Sequence, residues 1–238
     1  MDKMIVSDMT YNEISIVKED IENFIFMLKK VSVNQGSELK QVDEDFFSFL
    51  AKQIVFLKNI YFLGGKVYVV SVLISDYYNY ILAIIKNEHR YIYLNERSII
   101  ENYARLVLYK MVEDDFNVSQ MLSILREKFS DILLPENFSL LKSEYRIASS
   151  YIHGGNELAK SLAFYFENCL RRDFPFKNKS NYYENIQKLL KLNIKIFIRR
   201  YLNLVDGIFH RRKSLLGYLL GKSMLDFLFY ERNKNMNY

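Results

Sequence analysis

In Tyr145-Arg146-Ile147-Ala148-Ser149-Ser150-Tyr151-Ile152-His153-Gly154-Gly155, an arginine and a histidine stand seven positions apart among small and apolar residues. At about 100° per residue, seven steps return a helix to within roughly 20° of its starting direction, so Arg146 and His153 can share one face, two turns apart. Ser149 lies one turn before His153 and Tyr145 one turn before Ser149, and both border that face. A histidine that exchanges a proton near neutral pH beside a fixed cation is what acid–base cleavage of a phosphodiester requires. The plainer reading is a helix end whose histidine and arginine satisfy their neighbours, with His153 bonding the last carbonyls ahead of Gly154.

Arg97-Ser98-Ile99-Ile100-Glu101-Asn102-Tyr103-Ala104-Arg105 is a second constellation. Arg97, Glu101 and Arg105 recur every four residues and form a charged ridge, while Ile100, Ala104, Val107 and Leu108 face elsewhere. On an exposed surface such a ridge is a solvated ladder worth about a few tenths of a kcal/mol per pair.

An Arg-x-x-x-Glu helix followed some forty to fifty residues later by a helix carrying arginine, six residues and then histidine resembles the HEPN superfamily of prokaryotic defence and toxin–antitoxin systems. Arg97-x-x-x-Glu101 together with Tyr145-x-x-x-Ser149-x-x-x-His153-Gly154 resembles a bacterial branch of those helical proteins, over about Lys66 to Arg171. The resemblance implies a metal-independent endoribonuclease, completed across a homodimer, that uses no cofactor. Arg146 would stabilise the phosphorane charge and His153 would transfer protons, with the RNA 2′-hydroxyl as nucleophile. Arg97, Glu101, Tyr145 and Ser149 would support them. The implied setting is anti-phage abortive infection or a toxin–antitoxin pair, with RNA and an antitoxin or other defence protein as partners. Ile147 stands where the family often has a polar residue after the arginine. Many members bind without cutting, so the alternative is a non-catalytic nucleic-acid- or protein-binding module.

The elements that must position these residues read as helices. The 238 residues are half hydrophobic, with two prolines and eight glycines, which predicts a mostly α protein with a sizeable core. The expected fold is all-α, a helical bundle of about eight to nine helices, with a HEPN-like core and N- and C-terminal helical extensions. Apolar periodicity predicts helices over about 15–31, 43–62, 66–87, 96–112, 116–129, 135–153, 158–171, 182–206 and 214–230. Boundaries are expected to give an N-terminal helical hairpin over 1–65, a core over 66–172 and a basic helical pair over 181–232, all in one compact unit. Gly217-Tyr218-Leu219-Leu220-Gly221-Lys222-Ser223 is one residue short of a phosphate-binding loop and follows a helical stretch, not a strand.

From Asn181 onward there are eleven Lys or Arg against four Asp or Glu, so an anionic partner is expected there. Arg199, Arg200, Arg211, Arg212 and Lys213 are the candidate nucleic-acid contacts, with Tyr201 and Tyr218 available to stack on bases. A third reading makes this basic pair a structural surface for an acidic partner or a membrane. His89, His153 and His210 lack ligand spacing and Cys169 stands alone, so no metal site is expected. The start carries no secretory pattern, and Asp76 and Asn79 interrupt the apolar window 66–85. A cytoplasmic protein without a membrane partner is the expectation.

Overall fold

The computed structural model describes residues 2–36, 38–109, 117–153, 161–163, 167 and 179–236, with side chains from Asn12 to Lys234. Among the described residues there are ten helices and no strand. They are α1 (Asp2–Asn34), α2 (Gln41–Leu63), α3 (Tyr68–Ile85), α4 (His89–Leu108), α5 (Val118–Lys128), α6 (Pro135–Ile152), α7 (Lys179–Arg200), α8 (Leu202–Ile208), α9 (Lys213–Leu220) and α10 (Lys222–Met236). Most of the helix expected over 158–171, together with Cys169, Gly154 and the linker 173–178, lies outside the described residues.

Local chemistry sets several of these boundaries. The Asp43 carboxylate reaches back 3.0 Å to accept from the Lys40 backbone N–H, satisfying a donor ahead of α2. Asn117 caps α5 by accepting from the Ser119 N–H at 2.9 Å, and Pro135 opens α6 at a position where no N–H is needed. Helix α4 begins at His89, more than a turn before the expected start, because Ile92 and Tyr93 already belong to its buried face. The expected helix 182–206 is broken at Tyr201. The expected helix 214–230 is broken at Gly221, whose φ of +87° and ψ of 160° suit glycine alone. Gly221 thus ends α9, and the glycine-spaced segment 217–223 is a helix-to-helix joint.

The chain divides into two compact units, residues 1–74 with 191–238, and residues 75–190. The division falls inside α3 and inside α7, whereas the sequence reading placed boundaries near 65 and 172 within one unit. In the first unit α2 packs against α1, α8 and α9, and α9 packs against α1 and α10. Its core is aromatic. Phe56 meets Phe197 edge-on at 5.9 Å and stacks on Phe209 at 5.8 Å, joining α2, α7 and the end of α8. In the second unit α4 packs against α5 and α6, and the fully buried Tyr77, Tyr80, Tyr103 and Tyr183 fill the interior.

Helices α2 and α3 are long and apolar enough to cross a bilayer by length and composition, and about half of each apolar window, 50% and 44%, is buried within the chain.

Candidate active site

The α4–α6 seam of the 75–190 unit gathers the polar residues singled out in the sequence. Arg97 Nε donates to Glu101 Oε1 at 2.7 Å, one turn along α4. The Tyr145 hydroxyl, on α6, donates to the same oxygen at 2.9 Å. The Arg97 guanidinium also sits 5.5 Å from the Tyr145 ring centroid, a cation–π distance. From that anchorage Arg97 Nη1 reaches His153 Nε2 at 3.0 Å. A guanidinium has only donors, so Nε2 must be the lone-pair nitrogen, and the imidazole proton is assigned to Nδ1.

The ridge is therefore not a solvated ladder. Burial works against the charge of Arg97, but the hydrogen bond to Glu101 and that carboxylate's charge outweigh it and push the guanidinium pKa up. Burial, and then the Glu101 charge, push the Tyr145 phenol up. Ser149 Oγ is buried and, among the described residues, completes no hydrogen bond of good geometry, although it lies close to the Tyr145 hydroxyl. His153 is the C-cap of α6, with its backbone N–H bonded to Ser149 O at 3.1 Å, and its ring is exposed.

Arg146 is exposed and, among the described residues, takes no part in this network. The cation that meets His153 is Arg97, from the neighbouring helix. The helical wheel aligned Arg146 with His153 along α6 but could not show which side chain α4 would bring across.

Two further polar groups border the seam. Asp76 Oδ2 accepts from Ser98 Oγ at 2.8 Å and from Asn102 Nδ2 at 2.9 Å. Burial raises the Asp76 pKa against those two bonds, and the Glu101 charge adds to the rise. Deeper, Tyr182 donates to Glu96 Oε2 at 2.7 Å, and the Tyr80 and Tyr182 hydroxyls lie 2.5 Å apart. Glu96 is 2% exposed and, among the described residues, its Oε1 has no hydrogen-bond partner. Burial pushes its pKa up to about 8, with the Tyr182 bond opposing and the nearby Glu144 charge assisting. Sequence reasoning missed Glu96, which it placed in an opening turn. The signal was there: Glu96 falls on the same stripe as Ile92, Tyr93, Ile99, Ile100 and Tyr103.

The basic C-terminal residues are mostly engaged within the first unit. Arg199 forks onto Glu231, with Nε–Oε2 at 3.0 Å and Nη2–Oε1 at 2.5 Å. Arg212 forks onto Glu13 and donates from Nη1 to Asn59 Oδ1 at 3.0 Å. Lys213 pairs with Asp206. Arg200 and Arg211 are exposed. Tyr201 packs on Phe197 at 4.9 Å, and Lys52 covers the Tyr218 ring at 4.3 Å. Among the described residues no group of three or more His, Cys, Asp or Glu could hold a metal ion.

Comparison with known proteins finds no matching protein-family model, no curated protein and no solved structure.

Proposed function

We propose that the protein is a metal-independent endoribonuclease of HEPN type, acting in a bacterial anti-phage or toxin–antitoxin system. The observation that carries this reading is the 3.0 Å contact between Arg97 Nη1 and His153 Nε2 at an exposed helix end, with the arginine braced by Glu101 and Tyr145. A braced guanidinium is preorganised for an anion, and an imidazole with its lone pair beside it is a general base.

An RNA phosphate that takes Arg97 Nη1 as its donor releases His153 Nε2. The nitrogen then accepts the proton of the 2′-hydroxyl, O2′ attacks phosphorus, and the P–O5′ bond breaks. The imidazolium returns the proton to the departing 5′-oxygen, leaving a 2′,3′-cyclic phosphate and a 5′-hydroxyl. Arg97 stabilises the phosphorane charge, a role the sequence reading gave to Arg146. Arg146, exposed one turn before the Ser150–His153 end, contacts a flanking phosphate. The reading keeps RNA as substrate, a homodimer as the active form, an antitoxin or other defence protein as partner, and the cytoplasm as its place.

The test is cleavage of a mixed RNA pool in the presence of chelator by the wild type, His153→Ala, Arg97→Ala and Arg146→Ala. Cutting that is lost with His153→Ala and Arg97→Ala and only weakened with Arg146→Ala is the expected outcome. Cutting unchanged by His153→Ala, or absent from folded wild type, rejects the assignment. The second outcome favours a non-catalytic binding module, a reading supported by the way the Arg97 bond occupies His153 Nε2 and clasps the end of α6.

A further inference from the structure

We propose that the Tyr93–Tyr151 stack is a docking platform for an unpaired nucleobase of the RNA strand held at this site. The inference rests on the ribonuclease reading for the purpose of the platform, but its geometry stands apart from the chemistry. Tyr93, on α4, is 2% exposed, and Tyr151, on α6, lies over it with ring centroids 4.0 Å apart and planes within 16°. Tyr151 is nonetheless 46% exposed. Tyr93 covers one face of the outer ring, which leaves the opposite face and the rim as the parts of the ring that can contribute to that exposure. A flat aromatic surface with a rigid partner behind it is what a base requires, and it accepts any base because every base has a π face.

The platform sits where a nucleotide at the site would need it. Tyr93 precedes Arg97 by one turn of α4, about 6 Å of rise, and Tyr151 precedes His153 by two residues, so both pairs bridge the same two helices. Ile147, one turn before Tyr151 on α6 and 36% exposed, adds an apolar border. Ile147 thereby gains a role as the floor beside the base instead of a lost polar group. Paired bases in an A-form duplex are already stacked and present no face to such a surface, so the platform selects unpaired ones.

The chain has no tryptophan, so Tyr151→Trp introduces a single indole at the platform. The experiment titrates this variant with a mixed-sequence 2′-O-methyl single-stranded oligonucleotide, which cannot be cut, and with a 2′-O-methyl duplex of the same composition. Fluorescence quenching by the single strand and not by the duplex is expected. In parallel, Tyr151→Phe should bind the single strand as the wild type does, and Tyr151→Ala about tenfold or more weakly. Equal quenching by strand and duplex, undiminished binding by Tyr151→Ala, or no binding of either probe overturns the proposal. Should Tyr151→Ala fail to fold, the Tyr151→Trp titration decides alone. Since the probe is inert, quenching by a protein that never cuts ordinary RNA rejects the ribonuclease reading and keeps the platform. Cutting without quenching does the reverse.

Discussion

Tyr182 donates its hydroxyl to Glu96 across 2.7 Å in the interior of the 75–190 unit, joining α7 to α4 over 86 residues of chain. Among the described residues that single donor is all the Glu96 carboxyl receives, since its other oxygen has no hydrogen-bond partner there. A buried carboxyl so poorly solvated holds its proton, and the folded protein therefore carries a proton that the unfolded chain releases.

With the Glu96 pKa near 8 in the folded state and about 4.3 in the unfolded chain, stability from this group is fully present below about pH 4.3 and is lost as pH rises toward 8. Within that window the slope approaches about 1.4 kcal/mol per pH unit. Glu144, also raised by burial, acts in the same direction. Glu96→Gln keeps an acceptor for Tyr182 and has no proton to lose. Urea unfolding from pH 5 to 9 should show a flatter profile for the variant and greater stability than wild type at the alkaline end; parallel profiles would refute the assignment.

Removing the donor has the opposite effect. Tyr182→Phe removes the donor on Glu96 Oε2 and breaks the contact with Tyr80, and should cost about 1–3 kcal/mol in denaturant titrations at neutral pH. The double variant Glu96→Leu/Tyr182→Phe should cost less than the two single changes summed, because neither leaves an orphaned partner behind.

Arg97→Lys tests the fork as distinct from the charge. A lysine keeps the cation but cannot hold Glu101 with one nitrogen while offering another to His153 in a fixed plane. RNA cleavage should fall by about tenfold or more, reported in kcat, while thermal stability changes by about 1 kcal/mol or less because the pair is partly solvated. Activity equal to wild type would show that only charge is needed.

The basic C-terminal residues should separate by role. Arg199→Ala strands the 4%-exposed Glu231 and should destabilise the 1–74 with 191–238 unit by roughly 2–4 kcal/mol. Arg211→Ala, at an exposed position, should leave unfolding unchanged. Filter binding of RNA at two salt concentrations should reveal any electrostatic role of Arg211, with a shallower salt dependence for the variant. A stable Arg199→Ala with weakened RNA binding would restore the sequence reading of that residue.

Helix positions were legible wherever period and punctuation agreed, as at Pro135 for α6 and Gly64-Gly65 after α2. Breaks without a distinctive residue were not. Tyr201 ends α7 by a one-residue departure that no local propensity announces, and of the glycines at 217 and 221 only the second takes a left-handed φ. At the site, spacing within one helix identified His153, Tyr145, Glu101 and Arg97 as candidates. Which arginine reaches the histidine depends on how α4 and α6 pack, and a one-helix projection carries no such information. The internal ion pairs of Arg199, Arg212 and Lys213 escaped for the same reason, because Glu231, Glu13 and Asp206 lie on other helices.

The discontinuity of the first unit bears on how the protein is made. Residues 1–74 leave the ribosome before the segment that completes their core, 191–238, and the whole of 75–190 is translated in between. At about 5–20 residues per second, on the order of ten seconds pass in which Phe56 has neither Phe197 nor Phe209 to lie against. The intervening segment, 75–190, is contiguous and can collapse on its own schedule meanwhile. The nascent chain therefore carries the α2 face around Phe56 without its aromatic partners until residues 191–238 emerge, even where α1 already lies against α2.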